Sequence, residues 1–325
     1  MLKTKVGVLR GGPSNEYDVS LATGANVLKA LREKLSDKYA AYDVLIDKKG
    51  QWHVDGVAMK PEMAIKHFDV AFLALHGAYG EDGKVQQFLE SHSKPFTGSG
   101  SLASAVGFNK VLTKKVFSNH GISTPVDKII LATNIRNDVQ KAASELFRSF
   151  SLPIVVKPAT SGSSVGITLV QDMGTLPQAL IEAAEHSDEV LVEEFIKGVE
   201  ATVGIVEGFR NEEYYSLPAV EIRSGNDFFD FEAKYKGKSQ EIVPATFSQK
   251  IKNEIADLAK RVHKAVGLRH YSRTDFIIHP KRGVYVLEVN TLPGLTNESL
   301  VPKSLRAVGS DTHELIDHLI QLANK

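Results

Sequence analysis

The first third of the chain alternates short apolar runs with polar breaks. "KVGVL", "YDVLI" and "DVAFLAL" each have the length of a buried strand. Between the first two, Val19, Ala22, Val27, Ala30, Leu31 and Leu35 recur at helical spacing and predict a helix from Val19 to about Leu35. The loop "RGGPSNE" lies between the first strand and that helix. Strand, glycine loop, helix and strand in this order predict a βαβ unit and a parallel sheet. A first α/β domain is drawn at about 1–100.

Ser101 is a suitable N-cap for a helix running to about His120, closed by Gly121. "IVVKP" and "ITLV" read as strands separated by "ATSGSSVG", and "DEVLVEEF" as a strand that ends acidic. These make a second domain, 101–196. The rest, 197–325, mixes strands ("ATVGIV", "YYSLPAVEI", "DFFDFEA") with a helix at about 248–266, a hairpin "YSRTDFIIHPKRGVYVLEVN" and a last helix at about 311–323. It reads as an α+β third domain, so the class is α/β with an α+β C-terminal part.

The 325 residues exceed one ordinary core and agree with several domains. Lys+Arg and Asp+Glu are both 39, so no basic excess points to nucleic acid. There is no cysteine, which removes disulfides, thiolate metal sites and thiol nucleophiles, and is compatible with a reducing cytosol. No secretory segment and no run of 18 apolar residues is found, so a cytoplasmic protein with no membrane partner is expected.

Candidate chemistry concentrates in the hairpin. Its turn centres near Lys281, and equal counting outward puts Asp275 opposite about residue 287, within one residue of Glu288. Alternation puts Leu287 and Val289 on one side, and Glu288 and Asn290 on the other with Val284 and Val286. Asp275, Glu288 and Asn290, with Arg273 beside them, would then form an oxygen cluster suited to Mg²⁺ and phosphate; zinc would want His or Cys. The alternative is the polar face of a half-exposed hairpin. "KPATSGSSVG" is neither a Walker A loop nor a dinucleotide fingerprint, but its small residues let backbone N–H groups approach an anion. Lys157 ends an apolar strand and either meets an anion or snorkels to solvent. Lys110 alone is a weaker signal. "VLVEEFIKGVE" offers Glu193, Glu194 and Glu200 beside apolar residues, as an adenine slot would or as a solvated acidic edge would. "FEAKYKGKSQEIVPA" is either a solvated hairpin or a lid closing Lys234 and Tyr235 over phosphate.

Eight stretches in order resemble the D-alanine–D-alanine ligases of the ATP-grasp superfamily: "GGPSNEYDVSL", "HGAYGEDGKVQQFLE", "FTGSGSLASAVGFNK", "VVKPATSGSSVG", "VLVEEFIKGVEATV", "FFDFEAKY", "SRTDF" and "EVNTLPGLTNESLVP". The resemblance covers nearly the whole chain. It implies a three-domain ATP-grasp architecture and the joining of two D-alanines, with ATP as co-substrate and two Mg²⁺ (Mn²⁺ as a substitute), for peptidoglycan precursors in the cytoplasm. By motif match, Lys110 and Lys157 would hold the α- and β-phosphates and Lys234 the γ-phosphate. Glu193, with the backbone of Glu194 and Ile196, would meet adenine, Leu287 would wall its slot, and Glu200 would take the ribose. Asp275, Glu288 and Asn290 would bind metal. Glu16 would hold the first D-alanine's ammonium, with His76 near that substrate. Glu16, Ser163 and Tyr235 match a hydrogen-bonded triad, which also puts Ser163 beside the nucleotide. Arg273 and the Gly294 N–H match an oxyanion hole, a glycine there letting the chain turn its N–H inward. Ser299 and the Leu300 backbone match the seat of the second carboxylate.

Glu194 stands where the family commonly has lysine, and the segment after Tyr235 is short and lysine-rich. Tyr235 and the Ser299–Leu300 pair argue against the related D-alanine–D-lactate ligases. Alternatives are the same chemistry with D-serine, D-lactate or another acceptor, and a nucleotide-binding regulatory protein without turnover. The family resemblance also implies a homodimer.

Overall fold

The computed structural model describes residues 3–162, 165–224 and 239–325. Its first sheet is built from β1 (Thr4–Gly11), β2 (Tyr39–Ile46), β3 (Trp52–Val54), β4 (Val57–Met59) and β5 (Val70–Leu73), in the order β4-β3-β2-β1-β5. β1 runs parallel to both β2 and β5, as the βαβ pattern predicts, and α1 (Tyr17–Glu33) makes the crossover. The antiparallel β3–β4 pair was not predicted. Two shorter helices complete this part, α2 (Pro61–Ala64) and α3 (Lys84–Ser91).

The single helix expected from Ser101 to His120 is two, α4 (Ser101–Phe108) and α5 (Lys110–Asn119). Asn109 breaks it. With φ −93° and ψ 106° it leaves the helical region, and its side-chain oxygen accepts from the N–H groups of Val111 (2.9 Å) and Leu112 (3.1 Å). It thus caps the second helix and puts Lys110 in that helix's first turn. Gly100, not Ser101, occupies the N-cap of α4; the Ser101 hydroxyl donates to Glu90.

The central part holds β6 (Asp127–Leu131), α6 (Ala132–Asn137), α7 (Val139–Phe147), β7 (Ile154–Pro158), β8 (Thr168–Val170), α8 (Leu176–His186) and β9 (Glu189–Glu194). Its four strands form an antiparallel sheet in the order β6-β9-β7-β8. Leu146, Ile154, Val156, Leu180 and Val192 form a core of its own.

The last part contains β10 (Val199–Glu207), β11 (Tyr214–Ser216), β12 (Val220–Ser224), β13 (Ser239–Ile242), α9 (Gln249–Val266), β14 (Tyr271–His279), β15 (Gly283–Asn290), α10 (Leu300–Ala307) and α11 (Thr312–Ala323). The strands pair antiparallel in the order β13-β12-β10-β14-β15, and β11 also pairs with β10. "YYSLPAVEI", expected as one strand, is split into β11 and β12 around Pro218, which has no N–H for the ladder. The strand expected in "DFFDFEA" lies outside the described residues.

The cores do not follow chain order. The N-terminal core takes in Leu292, Leu295, Val301, Leu305, Leu315, Ile316, Leu319 and Ile320. Ala103, Phe117 and Ile122 join the core of the last sheet. The α11 face is pinned to the first sheet by Asp317, which accepts from Lys38 Nζ (2.7 Å) and Tyr39 Oη (2.6 Å). Among the described residues no helix is long and apolar enough to cross a membrane.

Candidate active site

The hairpin closes as counted: His279 pairs with Gly283, and Phe276 with Val286. The register then slips by one, and Asp275 pairs with Glu288 and Arg273 with Asn290. Leu287 is the extra residue of a β-bulge, a device that re-aims side chains beside active sites. It also corrects the expected alternation. Val284, Val286 and Val289 are all buried in the last core, while Tyr285, Leu287, Glu288 and Asn290 are half-buried. Val284 and Val286 therefore do not share Glu288's side.

On the other edge of β14, Thr202 pairs with Asp275, Gly204 with Arg273, and Glu200 with Ile277. Directly paired residues share a sheet face. One face thus collects Glu200, Thr202, Arg273, Asp275, Glu288 and Asn290. Arg273 grips Asp275 with two parallel bonds of 2.9 Å. Burial would lower the guanidinium's pKa, but the Asp275 carboxylate raises it well above its ordinary value. Thr202 Oγ1 (2.6 Å) and Asn290 Nδ2 (3.2 Å) also donate to Asp275. Because Asn290 spends its amide N–H on Asp275, its carbonyl oxygen is the end suited to a cation. Two carboxylates and an amide oxygen are the hard-oxygen set that Mg²⁺ takes. Among the described residues no three of His, Cys, Asp and Glu converge as an all-protein metal site. A cation held here would need phosphate oxygens to complete its shell, and Asp275 would have to loosen part of its present bonding to serve.

Lys110, in the first turn of α5, reaches Glu288 (3.3 Å) and donates to Ser161 O (2.8 Å). It joins the Gly/Ser loop to the hairpin face. Lys157 does not snorkel: it is buried and lies 2.5 Å from Glu193 Oε2. The other Glu193 oxygen meets Lys114 at 2.6 Å. Burial alone would raise the Glu193 pKa; Lys157 and Lys114 outweigh it and hold the carboxyl below its ordinary value. Lys114 was missed in the sequence, although its position four residues after Lys110 puts both on one helix face. Glu194 accepts from both Arg282 nitrogens (2.8 and 2.9 Å), and its own N–H donates to Val126 O. Ile196 is buried.

Glu16 precedes α1 and is aimed at two glycines. A Cβ on Gly77 would lie 2.6 Å from Glu16 Oε2, and one on Gly162 would collide with the same oxygen. The Gly/Ser loop therefore abuts the N-terminal domain at Glu16. Ser14 ties the two sides, donating to His76 O (2.8 Å) and accepting from Glu16 N–H (2.9 Å). The buried His76 ring meets Thr23 Oγ1 (2.9 Å) and Glu81 (3.5 Å). Burial raises the Glu81 pKa and nearby Glu16 raises it further, against the pull of His76. Two neighbouring carboxylates are chemistry suited to an ammonium group. The sequence contained Glu81 within "HGAYGEDGK" but gave no signal separating it from the acidic residue beside it.

Gly294 does not adopt positive φ, so the expected reason for a glycine there is replaced by another. A Cβ would stand 2.8 Å from Ser299 Oγ, so the position needs space. The Ser299 hydroxyl lies 2.8 Å from Thr296 Oγ1 and accepts from Thr296 N–H. Leu300 opens α10, whose first N–H groups lack intrahelical acceptors and favour an anion. Ser163, Lys234 and Tyr235 lie outside the described residues.

Residues 116–321 match the family profile described as D-ala D-ala ligase C-terminus, and residues 5–64 and 56–99 match that of the N-terminus. The chain is 38% identical to a D-alanine–D-alanine ligase of Pelotomaculum thermopropionicum over 98% of this chain and 96% of that protein. It is 41% identical to one from Pelobacter propionicus, again over 98% and 96%. Among solved structures, the VanG D-Ala:D-Ser ligase from Enterococcus faecalis superposes with TM-score 0.85, 28% identity, and 99% and 100% coverage. The D-alanine–D-alanine ligase from Coxiella burnetii gives 0.82, 26%, and 99% and 94%. With both halves of its sequence matched and relatives aligned end to end, this chain belongs to the D-alanine–D-alanine ligase family and has its ATP-grasp fold.

Proposed function

We propose that the protein joins two D-alanines at the expense of ATP, through a D-alanyl phosphate, to supply peptidoglycan precursors in the cytoplasm. The observation that carries the reading is the reach of the Gly/Ser loop. Ser161 accepts from Lys110, which pairs with Glu288, and the adjoining Gly162 abuts Glu16. A nucleotide on the loop and an amino acid at Glu16 would be neighbours.

In this reading Glu16 and Glu81 hold the first D-alanine's ammonium, and His76 orients it. Lys110 and Lys157 take the α- and β-phosphates and Lys234 the γ-phosphate. Glu193 and the Glu194 and Ile196 backbone meet adenine, with Leu287 as a wall and Glu200 on the ribose. Asp275, Glu288 and Asn290 would hold Mg²⁺, which supplies charge neutralisation on the transferring phosphoryl group. Arg273 and the Gly294 N–H receive the oxyanion when the second amine attacks the acyl phosphate. Ser299 and the α10 N-terminus seat the second carboxylate. The triad of Glu16, Ser163 and Tyr235 carries the proton from the attacking amine. Homodimerisation remains part of the family-based proposal.

A second reading keeps the chemistry and changes the acceptor, because a D-Ala:D-Ser ligase is among the structural neighbours. The experiment incubates the pure protein with ATP, Mg²⁺ and D-alanine, with D-serine or D-lactate in competition, and follows phosphate and product. D-alanyl-D-alanine as the main product supports the first reading. D-alanyl-D-serine supports the second. No D-alanine-dependent phosphate release across pH and salt sinks both.

A further inference from the structure

Lys114 has no part in the reaction just described, yet it is among the most tightly held cations of the site. Its ammonium group donates to Pro125 O (2.7 Å) and Glu193 Oε1 (2.6 Å), and lies 3.1 Å from Asp127 Oδ1. Two of the three ammonium protons are thus spent on hydrogen bonds, and Asp127 adds a second carboxylate as an ion-pair partner. Asp127 and Glu193 are register partners on β6 and β9, so Lys114 stitches α5 to two adjacent strands. Lys157 comes from β7 and meets the second Glu193 oxygen; among the described residues no other carboxylate pairs with it. Glu193, Lys114 and Lys157 are 2%, 7% and 6% exposed. A buried carboxylate stripped of its only cation is strongly destabilised, whereas one that keeps a cation is not.

Resting on the nucleotide reading above, we propose that Lys114 is a positioning residue for nucleotide binding. It is the fixed counter-ion of Glu193, and it allows Lys157 to leave that carboxylate for a phosphate without stranding a buried negative charge. Lys157 is the cation that moves because it has one carboxylate partner, while Lys114 has two carboxylates and a backbone carbonyl. Glu193, still oriented by Lys114 at Oε1, turns its freed Oε2 to the base. The ion cluster is then an exchange site in which phosphate replaces Glu193 as the partner of Lys157.

The test is a double-mutant cycle read by calorimetric binding of ADP to the full-length protein, with thermal unfolding as a check on folding. Lys114→Met should weaken ADP binding at least tenfold, because Lys157 becomes the sole cation on Glu193. In a Glu193→Gln background, where there is no charge to strand, the same Lys114→Met change should weaken binding less than threefold. Equal losses in both backgrounds, or wild-type ADP affinity in Lys114→Met, overturn the proposal. If Lys114→Met alone fails to fold while the double variant folds and binds ADP as Glu193→Gln does, the same coupling appears as stability and supports it. A double variant that also fails to fold overturns it. Failure of the wild-type protein to bind ADP is a different result: it removes the nucleotide reading itself.

Discussion

Asp275 faces Glu288 across β14 and β15, although equal counting from the hairpin turn pairs Asp275 with Leu287. The extra residue puts both carboxylates on one face with Arg273 and Asn290. Glu288 is also the partner of Lys110 (3.3 Å), so it serves two elements at once. Glu288→Gln should cut D-alanine-dependent phosphate release by about 100-fold or more. The melting temperature should move by no more than about 2–4 °C, the shift expected for about 1 kcal/mol in a chain of this size. Activity near wild type would take Glu288 out of the mechanism.

The two glycines against Glu16 should respond differently to alanine. At Gly162 the added methyl meets only the tip of a flexible side chain. Gly162→Ala should therefore displace Glu16 and raise KM for D-alanine about tenfold or more, roughly one lost charged hydrogen bond, while thermal stability stays near wild type. Gly77 has φ +69°, so Gly77→Ala adds backbone strain of about 1 kcal/mol to the same collision. It should lower both D-alanine affinity and melting temperature. Equal stability of the two variants would contradict the backbone argument.

Glu81 is held above its ordinary carboxyl value by burial and by Glu16. A raised native pKa makes its stabilising contribution complete below the ordinary value of 4.5 and lost as pH rises through the native value. Glu81→Gln should thus be at least as stable as wild type at pH 8, with the advantage gone near pH 4. The same variant should bind the first D-alanine more weakly, as a trade of function for stability. Melting temperatures and KM across that pH range check both halves.

Asp317 has the opposite sign. Burial would raise its pKa, but Lys38 and Tyr39 outweigh burial and hold it below the ordinary 3.8. Its contribution is present above 3.8 and lost as pH falls through the lower native value. Asp317→Asn should cost about 1–2 kcal/mol at pH 7, mostly through the Tyr39 hydroxyl, since solvent screens the half-exposed Lys38. The difference should vanish in acid denaturation below about pH 3.

Much of this was legible in the sequence because it was local. The βαβ unit followed from strand lengths and from one helical stripe, Val27 to Leu31 among them. The hairpin followed from its turn, and the cluster of Asp275, Glu288 and Asn290 from a count good to one residue. The count could not see the bulge, because Leu287 is apolar and period-two alternation has no mark for an extra residue. Asn109 hid a helix break because asparagine is also tolerated within helices, and its capping role shows only in its φ and ψ. Lys114 was lost because its partners, Pro125, Asp127 and Glu193, belong to other segments of the chain. Glu81 drew no role because its repulsion with Glu16 depends on a contact across 65 residues.

The core of the first sheet is finished by α11, through Leu315, Ile316, Leu319 and Ile320. In sequence these residues come after both of the other sheets. The N-terminal strands therefore emerge with a core that α1 covers only in part until α11 follows. Domains that fold as units generally do so in order of synthesis, but here the first must wait for α11, which follows both other sheets. During translation the central sheet, whose core of Ile154, Leu180 and Val192 is drawn from its own residues, is the part able to settle first.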